Sequence, residues 1–331
     1  MQCSVQKILS LLMSVCAVCA YAVPYPFCTP QFATQTDIAL KKIYAQPLPQ
    51  QVTQRIRYFS QLWLNQPYEL TALGEGMRGQ FDQAPLYRVD AFDCQTYVET
   101  VLAFAIADSA QQFKQYIAMI RYAQGNIHYI QRHHFTSPDW NAYNQRNGLL
   151  QDITPTFVDR HQHRIARYAD AEIDPANWYQ HFDRSKIRLC HGTPHLISTR
   201  LHRLQEQGSK LAKKRSHIAY IPIHALIKQD QNSQDILNQI PDGAIVEIVR
   251  PNWDLTQQIG THLNVSHIGF VLREHGDLYF YNASSLVGKV YKISLVDYLI
   301  SMSSIPSIQG INVQIVLPTH PGSCANTQSK L

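Results

Sequence analysis

The run Arg88-Val-Asp-Ala-Phe-Asp-Cys94-Gln-Thr-Tyr-Val-Glu-Thr100 decides how this chain is read. Asp93 stands where a helix N-cap stands, and the thiol of Cys94 comes next. Val98, Val101, Leu102 and Ala105 then follow at steps of four, seven, eight and eleven from Cys94, which is one face of an α-helix. The spacing predicts a helix that opens on a cysteine and buries the cysteine's own face. A thiol in that position feels the positive end of the helix macrodipole, which favours thiolate. Taken alone, such a residue is more simply an inert core thiol, so the reading depends on partners elsewhere.

Partners are found far downstream. Val265-Ser-His267-Ile-Gly-Phe-Val-Leu272 reads as a strand with Val265, His267, Gly269 and Val271 on one face and Ile268, Phe270 and Leu272 on the other. A turn at Glu274–Asp277 leads back into Leu278-Tyr-Phe-Tyr-Asn282. Closing that hairpin brings Asn282 nearly opposite His267, within about two residues of register. An amide there sets the imidazole tautomer and leaves the other ring nitrogen to face a thiol. A histidine on a strand or an asparagine at a turn is ordinarily structural. The three together, in this order, are the parts of a papain-like cysteine hydrolase.

Residues 1–22 have the form of a secretory signal peptide: Lys7 in a short polar start, an apolar run from Ile8 to Cys19, and Ala20-Tyr21-Ala22 as the cleavage site. Cys16 and Cys19 fall inside that apolar run and are discarded with it. No small residue precedes either, as a lipoprotein signal requires, so no stable membrane anchor is expected and the chain is expected in the periplasm or secreted. Without Lys7, 28 basic residues face 24 acidic ones. That surplus is too small to argue nucleic acid, and no basic stripe interleaves with aromatics. Of the cysteines, Cys28, Cys94, Cys190 and Cys324 survive cleavage. With Cys94 kept free, the positions of Cys28 and Cys324 near the two termini favour joining that pair and leave Cys190 over, though the sequence leaves the pairing open.

Helical spacing over Thr36–Lys42 and Gln50–Leu64 makes 23–80 an N-terminal helical region. Residues 81–331 form the core, with an insertion at about 132–215. Leu73-Gly-Glu-Gly-Met-Arg-Gly79 fits a GxGxxG pattern, but no strand precedes it and no apolar helix follows, so it is read as a loop. A second helix is expected over Ser109–Gln124, a strand over Asn126–Gln131 and a helix over His195–Leu211. From Ile218 on the chain is β-like, with short runs at Ile218–Ile223, Ala244–Val249, Val265–Leu272, Leu278–Asn282, Lys289–Ser294 and Gly310–Leu317. Helices first and antiparallel strands last argue an α+β fold.

Phe92-Asp-Cys-Gln-Thr-Tyr-Val-Glu99, Asn264-Val-Ser-His-Ile-Gly-Phe270 and Tyr281-Asn-Ala-Ser-Ser285 with Gly288 resemble the NlpC-type bacterial cell-wall cysteine hydrolases. The middle region, with Arg132-His-His-Phe-Thr136 and Trp140, resembles the N-acetylmuramoyl-L-alanine amidase-like branch, over about residues 40–318. The resemblance implies a papain-like core with the nucleophile helix packed on an antiparallel β-barrel. It implies Cys94 as nucleophile, His267 as general base and then acid, and Asn282 as the orienting residue, where the branch usually carries histidine. It also implies a peptidoglycan substrate cut at the bond between muramic acid and L-alanine, plausibly in soluble anhydro-muropeptides, with neither metal nor other cofactor. A monomer is expected.

Tyr87, Asp90 and Ser266 flank these motifs as candidate substrate contacts, and Arg132 and Trp140 could meet a carboxylate and a sugar face. Each has a plain alternative: turn and capping chemistry, a solvated arginine, a buried aromatic. The pairs His133-His134, His161-x-His163 and His191-x-x-x-His195 come without HExxH or paired CxxC, so no metal is assigned. The rival functions are a γ-D-glutamyl stem-peptide endopeptidase and a cell-wall-binding module whose triad has decayed.

Overall fold

Polar and apolar residues at helical spacing give four helices before residue 122: α1 (Pro30–Tyr44), α2 (Val52–Leu62), α3 (Cys94–Ile106) and α4 (Ala110–Arg121). This is the arrangement of a computed structural model that describes residues 25–318; the expected signal peptide and Cys324 lie outside those residues. Thr29, Asp93 and Ser109 start α1, α3 and α4 by accepting backbone N–H bonds on their side-chain oxygens. The hub is α3, buried at every residue from Thr96 to Ile106. A helix apolar on all sides needs neighbours on all sides. Leu40, Ile56, Phe59, Trp63 and Phe113 supply them from α1, α2 and α4, with Phe104 meeting Phe59 at 4.7 Å and Phe113 at 4.1 Å between ring centroids.

The remaining side of α3 lies on a sheet. Its strands are β1 (Leu150–Asp152), β2 (Arg167–Ile173), β3 (Lys214–Pro222), β4 (Ala244–Leu255), β5 (Thr261–Glu274), β6 (Asp277–Ser284), β7 (Lys289–Ser294) and β8 (Gly310–Val316), all antiparallel to their partners. The order is β2-β3-β8-β4-β5-β6-β7, with β1 also paired to β8. Alternation sorts the two faces. Ile245, Ile268, Phe270, Leu272, Tyr281 and Ala283 join the α3 cluster. Val246, Ile248, Val271, Phe280, Ile311 and Val313 pack with residues of α8 (Ile223–Leu226), α9 (Gln231–Asn238) and α11 (Leu295–Met302), the short α10 (Thr256–Ile259) lying between β4 and β5. The fold is thus α+β with helices on both faces of an antiparallel sheet. No pairing joins β7 to β2 among the described residues; β2 instead curls back over the first half of β5, where Asn264 donates to the Ala169 carbonyl at 3.2 Å.

Between α4 and β3 the chain forms a π-helical turn (Thr136–Asn141), α5 (Ala142–Arg146), α6 (Pro175–Gln180) and α7 (Pro194–Gly208). It also supplies β1 and β2 to the sheet, so the stretch expected as an insertion is woven into the core. The strand expected at Asn126–Gln131 is instead loop and a 3-10 turn at Tyr129–Gln131. The Glu75 carboxylate takes the Tyr129 N–H at 2.9 Å, a bond a strand neighbour would otherwise claim. The cysteine pairing also differs from the one the termini favoured, because Cys28 is bonded to Cys190, 162 residues away. The segment before Cys190 decides this. The Cys190 N–H donates to Gln83 Oε1 at 2.8 Å, and the Arg188 guanidinium lies over the Phe27 ring at 5.8 Å.

Candidate active site

The first turn of α3 is fixed by a reciprocal capping box. Asp93 Oδ1 accepts from the Thr96 N–H at 2.8 Å, and Thr96 Oγ1 accepts from the Asp93 N–H at 2.9 Å. The Cys94 and Gln95 N–H groups are turned toward the Cys94 sulfur. Cys94 is half-buried and is the one described cysteine outside the disulfide. Burial, and then the neighbouring Asp93 carboxylate, push its thiol up to about 12 against the pull of those two N–H groups. The macrodipole was expected to favour thiolate; here desolvation and a like charge outweigh it.

His267 comes from the middle of β5. Ile248 pairs with His267 and Val249 with Val265, so Ser266 is the extra residue of a β-bulge, a device that re-aims the side chain beside it. The register Phe270 to Tyr281, continued one step, sets Asn282 across from Gly269. A Cβ on Gly269 would stand 2.9 Å from the Asn282 Cβ and 2.5 Å from the Tyr281 carbonyl oxygen. Glycine therefore lets β6 close in. His267 Nε2 and Asn282 Oδ1 are 2.9 Å apart. An amide oxygen can only accept, so Nε2 carries the proton and Nδ1 offers a lone pair. Asn282 is fully enclosed. Burial lowers His267 below the ordinary histidine range, and the bond to Asn282 opposes that shift.

Tyr298 of α11 ties the two halves together. Its ring stacks on His267 with centroids 6.2 Å apart. Its hydroxyl is raised by burial first, and it lies near enough to Tyr291 and Cys94 to feel a charge formed on either. Sequence reading passed over Tyr298; the only signal was the helical spacing Leu295, Tyr298, Leu299 in a run too short to single out.

The other candidates fall in different places. Tyr87 donates to Asp37 Oδ1 at 2.8 Å and packs edge-on against Phe113, bridging α1 and α4. Asp90 is gripped through both oxygens by Arg88, at 2.8 and 2.6 Å. Ser266 Oγ reaches back to the Ile248 carbonyl at 3.4 Å. Trp140 is 0 % exposed within the α3 cluster and presents no face to a sugar, because its π-helical turn lays it against the sheet. Arg132 lies 3.8 Å from Asp82, and four residues on the Thr136 hydroxyl donates to Gln95 Oε1 at 3.2 Å, beside Cys94. Glu99, spaced to reach back to Thr96 in a capping box, instead turns into the core and accepts from Arg121 Nε at 2.9 Å.

The family model described as N-acetylmuramoyl-L-alanine amidase-like matches residues 58–305. Protein LPG0564 from Legionella pneumophila is 43 % identical, with 86 % of this chain and 96 % of that one covered at a TM-score of 0.84. Two structures of an N-acetylmuramoyl-L-alanine amidase from Bacteroides uniformis superpose with TM-scores of 0.54 at 22 % and 23 % identity. They cover 80 % of this chain and 99 % and 98 % of theirs, a likeness of fold. No curated protein matches the chain. With three quarters of its length matched by one model and a relative 43 % identical covering 86 % of it, the chain belongs to the N-acetylmuramoyl-L-alanine amidase-like family.

Proposed function

We propose that this protein is an exported cysteine amidase of the NlpC-type, papain-like kind, cutting the N-acetylmuramoyl-L-alanine amide of soluble anhydro-muropeptides. The observation that carries the reading is the 2.9 Å bond from His267 Nε2 to Asn282 Oδ1, which leaves Nδ1 as a base. In the resting site thiol and imidazole are both neutral, since burial raises one and lowers the other. The sulfur of Cys94 attacks the lactyl carbonyl carbon as its proton passes to His267 Nδ1. The carbonyl π pair becomes an oxyanion, toward which the Cys94 and Gln95 N–H groups can donate. His267 then gives the proton to the departing alanine nitrogen, the C–N bond breaks, and a muramoyl thioester remains. Water, deprotonated by His267, attacks that thioester; the C–S bond breaks and the thiol is restored. Asn282 keeps the imidazole aimed throughout.

The test is mass spectrometry of anhydro-muropeptides after incubation with the mature protein and with Cys94→Ala. Release of an L-alanine-headed peptide and intact sugar, absent with the variant, is the expected result. Shortened stems still attached to sugar would move the activity to a stem-peptide endopeptidase. No change between pH 5 and 8, about the span over which a histidine base titrates, would leave a binding module as the better account.

A further inference from the structure

Behind the nucleophile helix lies a buried cluster of three acids and three arginines. Glu75 accepts N–H bonds from Phe81, Asp82 and Tyr129 at 2.9 to 3.0 Å. Asp82 accepts from Arg188 at 2.6 Å and from the Ala84 N–H at 3.1 Å. Glu99 is held by Arg121 at 2.9 Å. Each acid therefore has its own donors, and Arg132 is left over. Its guanidinium comes no closer than 3.8 Å to Asp82, which Arg188 already occupies, and among the described residues its side chain donates no hydrogen bond. A guanidinium carries five N–H donors and stays charged, and none of those of Arg132 is sealed from solvent, so they are free to meet a ligand. With 15 % of its side chain exposed, Arg132 still opens to solvent. Four residues on, Thr136 bonds to Gln95, the residue after the nucleophile, and Glu99 feels both Arg132 and the α3 start at Asp93.

We infer that Arg132 is the receptor for a carboxylate on the stem-peptide side of the substrate, namely the free α-carboxylate of the D-glutamate that follows L-alanine. This rests on the amidase reading above. The chemistry of the substrate makes the choice. Muramic acid spends its only carboxyl group in the scissile amide, so the sugar side is neutral. The anionic groups all lie on the leaving peptide, and the α-carboxylate of the second stem residue is the first met, about 7 Å beyond the scissile bond. A planar two-pronged donor on the segment that Thr136 fastens to the start of the nucleophile helix fits a carboxylate edge to edge. Binding there orients the muropeptide, with the stem toward Arg132 and the sugar away from it.

The experiment compares two anhydro-muramoyl tripeptides that differ only in carrying a D-glutamate α-carboxylate or its α-carboxamide. The native enzyme should favour the carboxylate by about ten- to a hundredfold in kcat/KM, the span of a charge-assisted pair. Arg132→Gln should cleave the two at equal rates, and Arg132→Lys should keep part of the preference. Equal rates with the native enzyme, or an unchanged preference in Arg132→Gln, would overturn the receptor while leaving the amidase intact. Cleavage of neither tripeptide would remove the amidase reading and the receptor with it. If a thermal melt shows Arg132→Gln unfolded, the native enzyme's ratio decides alone.

Discussion

Replacing Cys28 and Cys190 together by serine removes a cross-link that closes a loop spanning 162 residues. In the chain-entropy account, a bridge stabilises by limiting the unfolded ensemble, and the effect grows with the logarithm of the loop. For this separation it comes to about 5 kcal/mol at 25 °C. Packing adds little, because both cysteines are only half-buried. The loss should thus come from the open chain rather than from a cavity. It should also be equal in either single variant, since each breaks the same bond. The assay is guanidinium unfolding of the protein, with Cys94→Ala as background to keep the remaining described thiol out of exchange. The midpoint should fall sharply in the serine variants, and tris(carboxyethyl)phosphine should lower the parent to match them. A difference below about 1 kcal/mol between parent and double variant would refute the reasoning, as would a reductant effect that persists in the double variant. Arg188, two residues from Cys190, holds Asp82, so the same variants should loosen the loop beside Arg132 before the sheet yields.

Four further outcomes follow from named contacts. The neutral thiol predicts that iodoacetamide modifies Cys94 slowly at pH 7 and about tenfold faster per pH unit toward its value of about 12; rapid alkylation already saturated at pH 7 would show a resting thiolate–imidazolium pair instead. Asn282→Ala should cut kcat by roughly ten- to a hundredfold, since it strands a buried ring nitrogen and frees the imidazole to turn, and a kinetic comparison showing KM alone affected would contradict that. Glu247 in β4 is fully buried, pushed up to about 8 by burial, and accepts from Asn141 and Gln314 at 2.9 Å. A carboxyl raised on folding binds more protons in the native state, so its contribution is full below the unfolded value near 4.5 and is lost as pH rises through about 8. Glu247→Gln should flatten that decline and gain a few kcal/mol at pH 9, because an amide has no charge to bury; an unchanged slope of stability against pH would count against it. Gly269→Ala forces a Cβ to 2.5 Å from the Tyr281 carbonyl and should destabilise by about 1 to 3 kcal/mol while lowering activity through Asn282, with a native-like melt and rate as the contrary result.

The parts of the fold that were legible are those where local chemistry repeats. Lys289–Ser294 is a strand over the residues its turns bounded, and α3 starts at Cys94 because Asp93 caps it. β2 escaped notice since its buried positions include Ala169 and Ala171, small residues with little strand preference. Arg132 was visible as a candidate, but that its donors are spare depends on Arg121 and Arg188 having taken Glu99 and Asp82, and no spacing records that. The His267–Asn282 register was readable because a hairpin is local. The packing of α3, which opens on Cys94, against that hairpin is a long-range fact, set by Ile268, Phe270 and Tyr281 in the shared core.

β8 sits mid-sheet, between β3 and β4, yet is the last of the described strands. A growing polypeptide therefore holds two incomplete blocks, β2–β3 and β4 to β7, with no keystone until residues 310–316 emerge. Throughout elongation the hydrogen-bonding edge of β4 stays open, and such an edge can recruit another chain as readily as its own. Final assembly must wait for residues 310–316, and a chain held short of that point at high concentration is exposed to pairing with its neighbours.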